Sequence, residues 1–217
     1  MLGAAAGFLT YRHVAAPARP VLATALKPSA PAPVPEEAPS APPALAIPEE
    51  VPDVNLPDLK GTPRALRAVS GHARLYNFWA TWCEPCQREI PLLNTLAGAY
   101  GGQRLQIVGI AVDGKEAVQT FLKATALHYT VLVGEEEGAE AAQKFGMELA
   151  LPFSVFADEH NKIIAVKLGE LHRDEADTIL AHMASLRAGK ETLEAARTAI
   201  ARALKTLAVE RAKQSHK

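Results

Sequence analysis

Cysteine is scarce in this chain, with two among 217 residues. That number excludes a scaffold stapled by several disulfides, and it excludes a zinc site built from four thiolates. Histidine does not make up the shortfall, because His72, His128, His160 and His172 are scattered without metal-ligand spacing. An excess of one charge is also missing. The formal net charge is −1, so composition gives no sign of a nucleic-acid or broadly acidic partner. Leu2 to Leu9 is apolar but too short for a bilayer, which takes about 20 residues. Proline is plentiful and lopsided, since twelve of the sixteen fall between Ala15 and Pro57.

Both cysteines lie in one run, Asn77-Phe78-Trp79-Ala80-Thr81-Trp82-Cys83-Glu84-Pro85-Cys86. Apolar residues dominate Leu75 to Trp82, as a central strand buried on both faces requires. From Glu84 the pattern turns helical, with Ile90, Leu93 and Leu96 recurring at spacings of three. Cys83 is therefore expected at or just before the first helical turn, with its sulfur exposed. Unpaired N–H groups and the positive end of the macrodipole there favour thiolate over thiol. Pro85 suits the first turn, where a missing N–H costs nothing. Cys86, one turn on, is expected to face the core and act as the resolving thiol. Three other readings stay open. A structural disulfide is weakened by the short loop, which removes little entropy from the unfolded chain. A zinc pair would need distant histidines, and two inert core cysteines would leave the spacing a coincidence.

The string from Phe78 to Cys86, followed by Glu89 and Pro91 and by Leu151-Pro152 downstream, resembles the thioredoxin superfamily. Within it, the match is to the membrane-anchored TlpA/ResA-like branch of bacterial thiol–disulfide reductases, from about Asp53 to about Leu186. The resemblance implies an α/β, thioredoxin-like fold: a mixed central sheet flanked by helices, with a TlpA-type α–β insertion. It implies Cys83, Cys86 and Glu89 as catalytic residues, Leu151 and Pro152 as the cis-proline client contact, and no cofactor or metal. Trp82, Glu84, Pro85, Pro91 and Asn77 form the surroundings. A proline at 152 is the residue that holds a cis peptide at low cost. Pro91 deletes one backbone hydrogen bond and is expected to bend the active-site helix. Asn77 stands where thioredoxins proper carry a buried aspartate, and it cannot exchange a proton. In this branch Glu89 takes that role, with a pKa raised by desolvation; the competing reading is a solvated helix glutamate beside Arg88. Phe153 replaces a small hydroxyl residue and is expected to alter the client-facing surface.

Four regions follow along the chain. Residues 1–14 read as the remnant of a membrane anchor, and 15–52 as a disordered Pro/Ala-rich tether. Residues 53–188 read as the thioredoxin-like domain. Arg64 to Val69 is a candidate edge strand before a turn at Ser70-Gly71, and Leu75 to Trp82 the first central strand. Glu84 to Tyr100 is the active-site helix and Leu105 to Val112 the second central strand, entered through Gly101-Gly102. Lys115 to Thr125 and Thr130 to Val133 form the α–β insertion, and Ala139 to Phe145 a short helix. Phe153 to Ala157 and Lys162 to Leu168 form a hairpin in which Asn161 suits a left-handed turn. Asp174 to Leu186 closes the domain. Residues 189–217 read as a helical extension whose Leu193, Ile200, Leu204 and Leu207 line one face. Arg187 to Lys217 holds eight basic residues against three acidic ones. That helix either packs back on the domain or docks an acidic partner or anionic lipid.

The leading functional expectation is a protein thiol–disulfide oxidoreductase of the bacterial periplasm, held to the inner membrane by an N-terminal anchor. It would take electrons from an upstream membrane thiol donor and reduce a disulfide in a client protein. The resemblance suggests two client classes, the haem-site cysteines of apocytochromes c (cytochrome c biogenesis) or copper-site cysteines. The alternative is a Cu(I)-binding delivery module for respiratory oxidase assembly, since thiolates are suitable soft ligands. A peroxidase is the weakest reading, because Ala80 occupies the place where thioredoxin-like peroxidases carry Thr or Ser.

Overall fold

The computed structural model describes residues 47–68, 72–101, 105–148 and 150–214. The expected anchor, most of the tether, and the Ser70-Gly71 turn lie outside the described residues. The framework is a five-stranded mixed sheet. Its strands are β3 (Ala73–Trp79), β4 (Leu105–Ala111), β5 (Thr130–Val133), β6 (Phe153–Ala157) and β7 (Ile163–Leu168), in the order β5-β4-β3-β6-β7. β3, β4 and β5 run parallel, whereas β6 and β7 are antiparallel additions on the other side of β3. The helices are α1 (Glu84–Tyr100), α2 (Lys115–Ala124), α3 (Glu135–Lys144), α4 (Arg173–Arg187) and α5 (Leu193–Gln214).

Strand alternation divides the core. Tyr76, Phe78, Val108 and Ile110 point to one side, against Ala141, Ala142 and Phe145 of α3 and its C-cap. Leu75, Ile107 and Phe156 point to the other, against Leu93 and Leu96 of α1, Ile179 of α4 and Ile200 of α5. The α2–β5 unit is the expected insertion, with β5 at the sheet edge and Val118 of α2 buried beside Trp79 and the two cysteines. In the β6–β7 hairpin Asn161 has φ +67°, the left-handed conformation that its side chain tolerates.

Several expectations need correction. In the expected edge strand from Arg64 to Val69, the described residues, which end at Ala68, do not join the main sheet. Only Pro63–Ala65 (β2) is extended, paired with Asn55–Pro57 (β1), and Leu66–Ala68 then turns as a 3-10 helix that buries Leu66. Pro63 lacks a ladder donor, which suits a short two-stranded ribbon. The first central strand stops at Trp79, not Trp82, because the Thr81 N–H leaves the ladder for Asp113. The third helix begins at Glu135, four residues before Ala139, where its apolar pattern starts. Glu135, Glu136 and Glu137 there face the positive end of the dipole. Described residues ahead of Asp53 also pack on the domain. Val51 is fully buried, its N–H bonds the Asn161 carbonyl, and Glu50 bridges Lys162.

α5 packs back on the domain. Ala196 and Ile200 are buried, Leu193 and Leu204 are half-buried, and the Arg197 guanidinium donates twice to the Ile163 carbonyl, at 3.0 and 2.6 Å. Ile200→Ala is expected to destabilise the whole domain by about 2–4 kcal/mol in denaturant unfolding. A loss below about 0.5 kcal/mol would mean that the helix is not docked in solution.

Candidate active site

The register of the parallel strands sets the site. Trp79 stands opposite Ala111, and Ala111 opposite Val133, so all three chains leave the sheet at one level. Ligands of such sheets gather outside the carboxyl ends of the strands. Here Ala80 to Cys83 turns into α1, and the Cys83 N–H closes on the Ala80 carbonyl at 3.2 Å. Thr81 is held at each polar group. Its N–H and Oγ1 donate to one Asp113 oxygen at 2.9 and 2.6 Å, and its carbonyl accepts from Gln87 at 2.6 Å. The second Asp113 oxygen accepts the Gly114 N–H at 2.7 Å.

Cys83 is the N-cap of α1, and its sulfur accepts from the Cys86 N–H at 3.3 Å. The two cysteines form a disulfide with Cα atoms 5.3 Å apart. Cys86 faces the core at 1% exposure, as expected, but Cys83 is less open than expected, at 5%. Its cover comes from a cluster with Trp79, Ala80 and Val118, against which Leu151 also packs. Pro85 sits in the first turn, and Glu84 is exposed and ion-paired with Arg88 at 2.9 Å. Trp82 is the most exposed of the large apolar residues on the described surface, at 67%. Pro91 lies inside an α1 that continues unbroken to Tyr100.

Leu151-Pro152 is a cis peptide, and the Pro152 carbonyl accepts the Gly169 N–H at 2.8 Å. Phe153 corrects the sequence reading. It is fully buried and stacks on Phe78, with ring centroids 4.2 Å apart, so it fills the core and not the client-facing surface. Strand alternation from Pro152 decides this, and it follows only once the register is known.

Glu89 is buried at 1% exposure, which removes the solvated-helix reading. Asn77 Nδ2 donates to one carboxylate oxygen at 2.7 Å and the Leu171 N–H to the other at 2.8 Å. Asn77 also donates to Ser154 Oγ at 3.2 Å. Burial pushes the Glu89 pKa up to about 7, against the opposing pull of the Leu171 and Asn77 hydrogen bonds. Glu170 raises it further and Lys167 lowers it. Tyr129, whose ring packs over Gly109, is raised mainly by burial and then by Glu89. Gly109 is required here, since a Cβ would come within 2.9 Å of the Tyr129 ring and 3.1 Å of Trp79 Nε1.

The structure thus places Cys83, Cys86 and Glu89 on the first turns of α1, with Asn77 bonded to Glu89 and Leu151 packed against the cysteine cluster. Sequence reasoning missed Asp113, Gln87, Ser154 and the Leu171 amide. Asp113 alone carried a signal, as an acid just past the carboxyl end of a parallel strand. The described residues hold no cluster of three or more metal-ligating acidic, histidine or cysteine side chains.

Comparison with known proteins agrees with this geometry. The Redoxin family profile matches residues 48–180. Thiol-disulfide oxidoreductase ResA of Bacillus thuringiensis subsp. konkukian is 30% identical over 137 residues, covering 63% of this chain and 78% of its own. The protein of the same name from Geobacillus kaustophilus is 28% identical over 135 residues, covering 62% and 76%. A solved thiol-disulfide oxidoreductase from Bacteroides fragilis superposes with a TM-score of 0.55 at 24% identity. It covers 62% of this chain and 98% of its own, and it is similar in fold.

Proposed function

The chain belongs to the Redoxin family as a ResA-like member of the thioredoxin superfamily, and from that premise we propose that it reduces disulfides in client proteins. It is a protein thiol–disulfide oxidoreductase, and the observation that carries the reading is a Cys83–Cys86 disulfide on a helix N-terminus above a buried Glu89. In the reduced protein, the Cys83 thiolate attacks one client sulfur. A Cys83–client disulfide forms and the other client sulfur leaves as thiolate. Cys86 then passes its proton to the Glu89 carboxylate and attacks the Cys83 sulfur. The mixed disulfide breaks, the second client thiolate leaves, and the Cys83–Cys86 disulfide seen here is the product. Two electrons pass to the client. A carboxyl with a pKa of about 7 can take up and release that proton near neutral pH.

The proposed setting is the bacterial periplasm, with the domain tethered to the inner membrane and recharged by a membrane thiol donor. The proline-rich stretch ahead of the domain supports a tether, since such composition favours extended chain. The clients proposed are haem-site cysteines of apocytochromes c or copper-site cysteines.

The reduction potential of the pair tests the direction. Equilibration against thiol buffers is expected to give a value below about −220 mV, among the thioredoxin-like reductants. A value above about −150 mV would place it with the strong oxidants and reverse the proposed electron flow. Tight stoichiometric Cu(I) binding by the reduced protein would favour the metal-delivery reading instead.

A further inference from the structure

The family match ends at residue 180, so α5 lies outside it and family membership does not explain what α5 does. One end of this helix is held beside the turn of the β6–β7 hairpin, where Arg197 bonds the Ile163 carbonyl and Ile200 is buried. The other end reaches the start of α4. There Arg211 Nη1 donates to Glu175 Oε1 at 3.0 Å, and Nη2 donates to Asp174 at 2.8 and 3.1 Å.

Glu175 is 1% exposed, so its carboxylate needs partners inside the protein. Its second oxygen accepts the His172 N–H at 3.0 Å and faces His172 Nδ1 at 3.3 Å and Lys167 Nζ at 3.6 Å. His172 directly follows Leu171, itself buried, whose N–H donates to Glu89. A continuous set of bonds therefore runs from Arg211 through Glu175 and the His172–Leu171 backbone to Glu89. The only other hydrogen-bond donor to the Glu89 carboxylate among the described residues is Asn77.

We propose that α5 braces the proton relay, with Arg211 as a positioning residue that acts through Glu175 to hold the Leu171 amide on Glu89. The inference rests on the reading of Glu89 as the group that takes the Cys86 proton. A loosened Leu171 amide would leave the ionised carboxylate with one donor fewer. Around Glu89, the groups whose charge also bears on it are Lys167 and Glu170 from the β7–α4 segment, and Glu89 in turn raises Tyr129. Lys167 also meets Glu175 at 3.6 Å, so a substitution at Arg211 reaches Glu89 by this charge as well as by the Leu171 amide.

The test uses the full chain. The rate at which Cys86 resolves a mixed disulfide on Cys83 is followed against pH for wild type, Arg211→Gln, Asp174→Asn and Glu89→Gln. Arg211→Gln is expected to move the midpoint upward by about half to one pH unit. Asp174→Asn, which loosens the Arg211 contact without stranding a buried charge, should move it the same way by less. Glu89→Gln should abolish that titration. An Arg211→Gln protein that melts earlier but keeps the wild-type midpoint would reduce α5 to a structural element and overturn the brace. Should Arg211→Gln fail to fold, Asp174→Asn decides, and an unmoved midpoint overturns the proposal. A Glu89→Gln protein that keeps the wild-type titration would refute the relay reading itself, and the brace with it.

Discussion

Cys86→Ser is expected to convert the catalyst into a trap. The Cys83 thiolate would still attack a client disulfide, but nothing would release it, and a covalent 1:1 adduct should accumulate and survive non-reducing denaturation. Cys83→Ser should lose turnover altogether, falling to the background of uncatalysed thiol exchange. The asymmetry follows from placement. Cys83 caps the helix, where unpaired N–H groups and the dipole stabilise a thiolate, whereas Cys86 is 1% exposed and reaches only its neighbour. Mass spectrometry of both variants, incubated reduced with a peptide disulfide, reads the result. Equal trapping by the two single variants would contradict the assignment of attacking and resolving sulfurs.

Glu89→Gln should slow the resolving step by about 10²-fold near pH 7, since a positioned proton acceptor contributes on the order of 10²–10⁴. The initial attack by Cys83 should change far less, and rapid-mixing kinetics separate the two phases. The same substitution has a stability signature with a definite sign. In the fold Glu89 titrates at about 7, above its ordinary 4.5, so between those values the folded chain holds a proton that the unfolded chain has lost. Its contribution is complete below about 4.5, declines as pH rises towards 7, and is gone above. At about 1.4 kcal/mol per pH unit, the rise from 4.5 to about 7 is worth about 3 kcal/mol. The wild-type protein should lose roughly that much more stability than Glu89→Gln between pH 4.5 and pH 8. Matching pH profiles of denaturant unfolding for the two proteins would show that Glu89 titrates normally.

The chemistry was legible in the sequence because it is local. A short cysteine spacing, an apolar run ahead of it and a helical period behind it place one sulfur at a helix start, whatever the rest of the chain does. α1 runs from Glu84 to Tyr100 as read, and β5 spans the four residues expected. The left-handed Asn161 also follows from side-chain chemistry alone. Errors gathered where a segment's fate depends on distant residues. Thr81 and Trp82 look like strand, yet Asp113, thirty-two residues on, takes the Thr81 N–H and Oγ1. Phe153 looks like a surface change, yet its pairing with Phe78 turns it into the core.

The sequence alone determined that the two cysteines stand at the start of a helix just past an apolar strand, since that follows from spacing and pattern. Only the tertiary structure decided the surroundings of Glu89. Glu89 could have been a solvated helix residue. It became a buried carboxyl with a pKa of about 7 when β3 brought Asn77 and the segment before α4 brought the Leu171 amide to it. Burial and hydrogen bonding between residues 12 and 82 positions apart leave no periodicity to read. The docking of α5 belongs to the same category, because its basic composition gives no hint that Arg211 meets a buried Glu175.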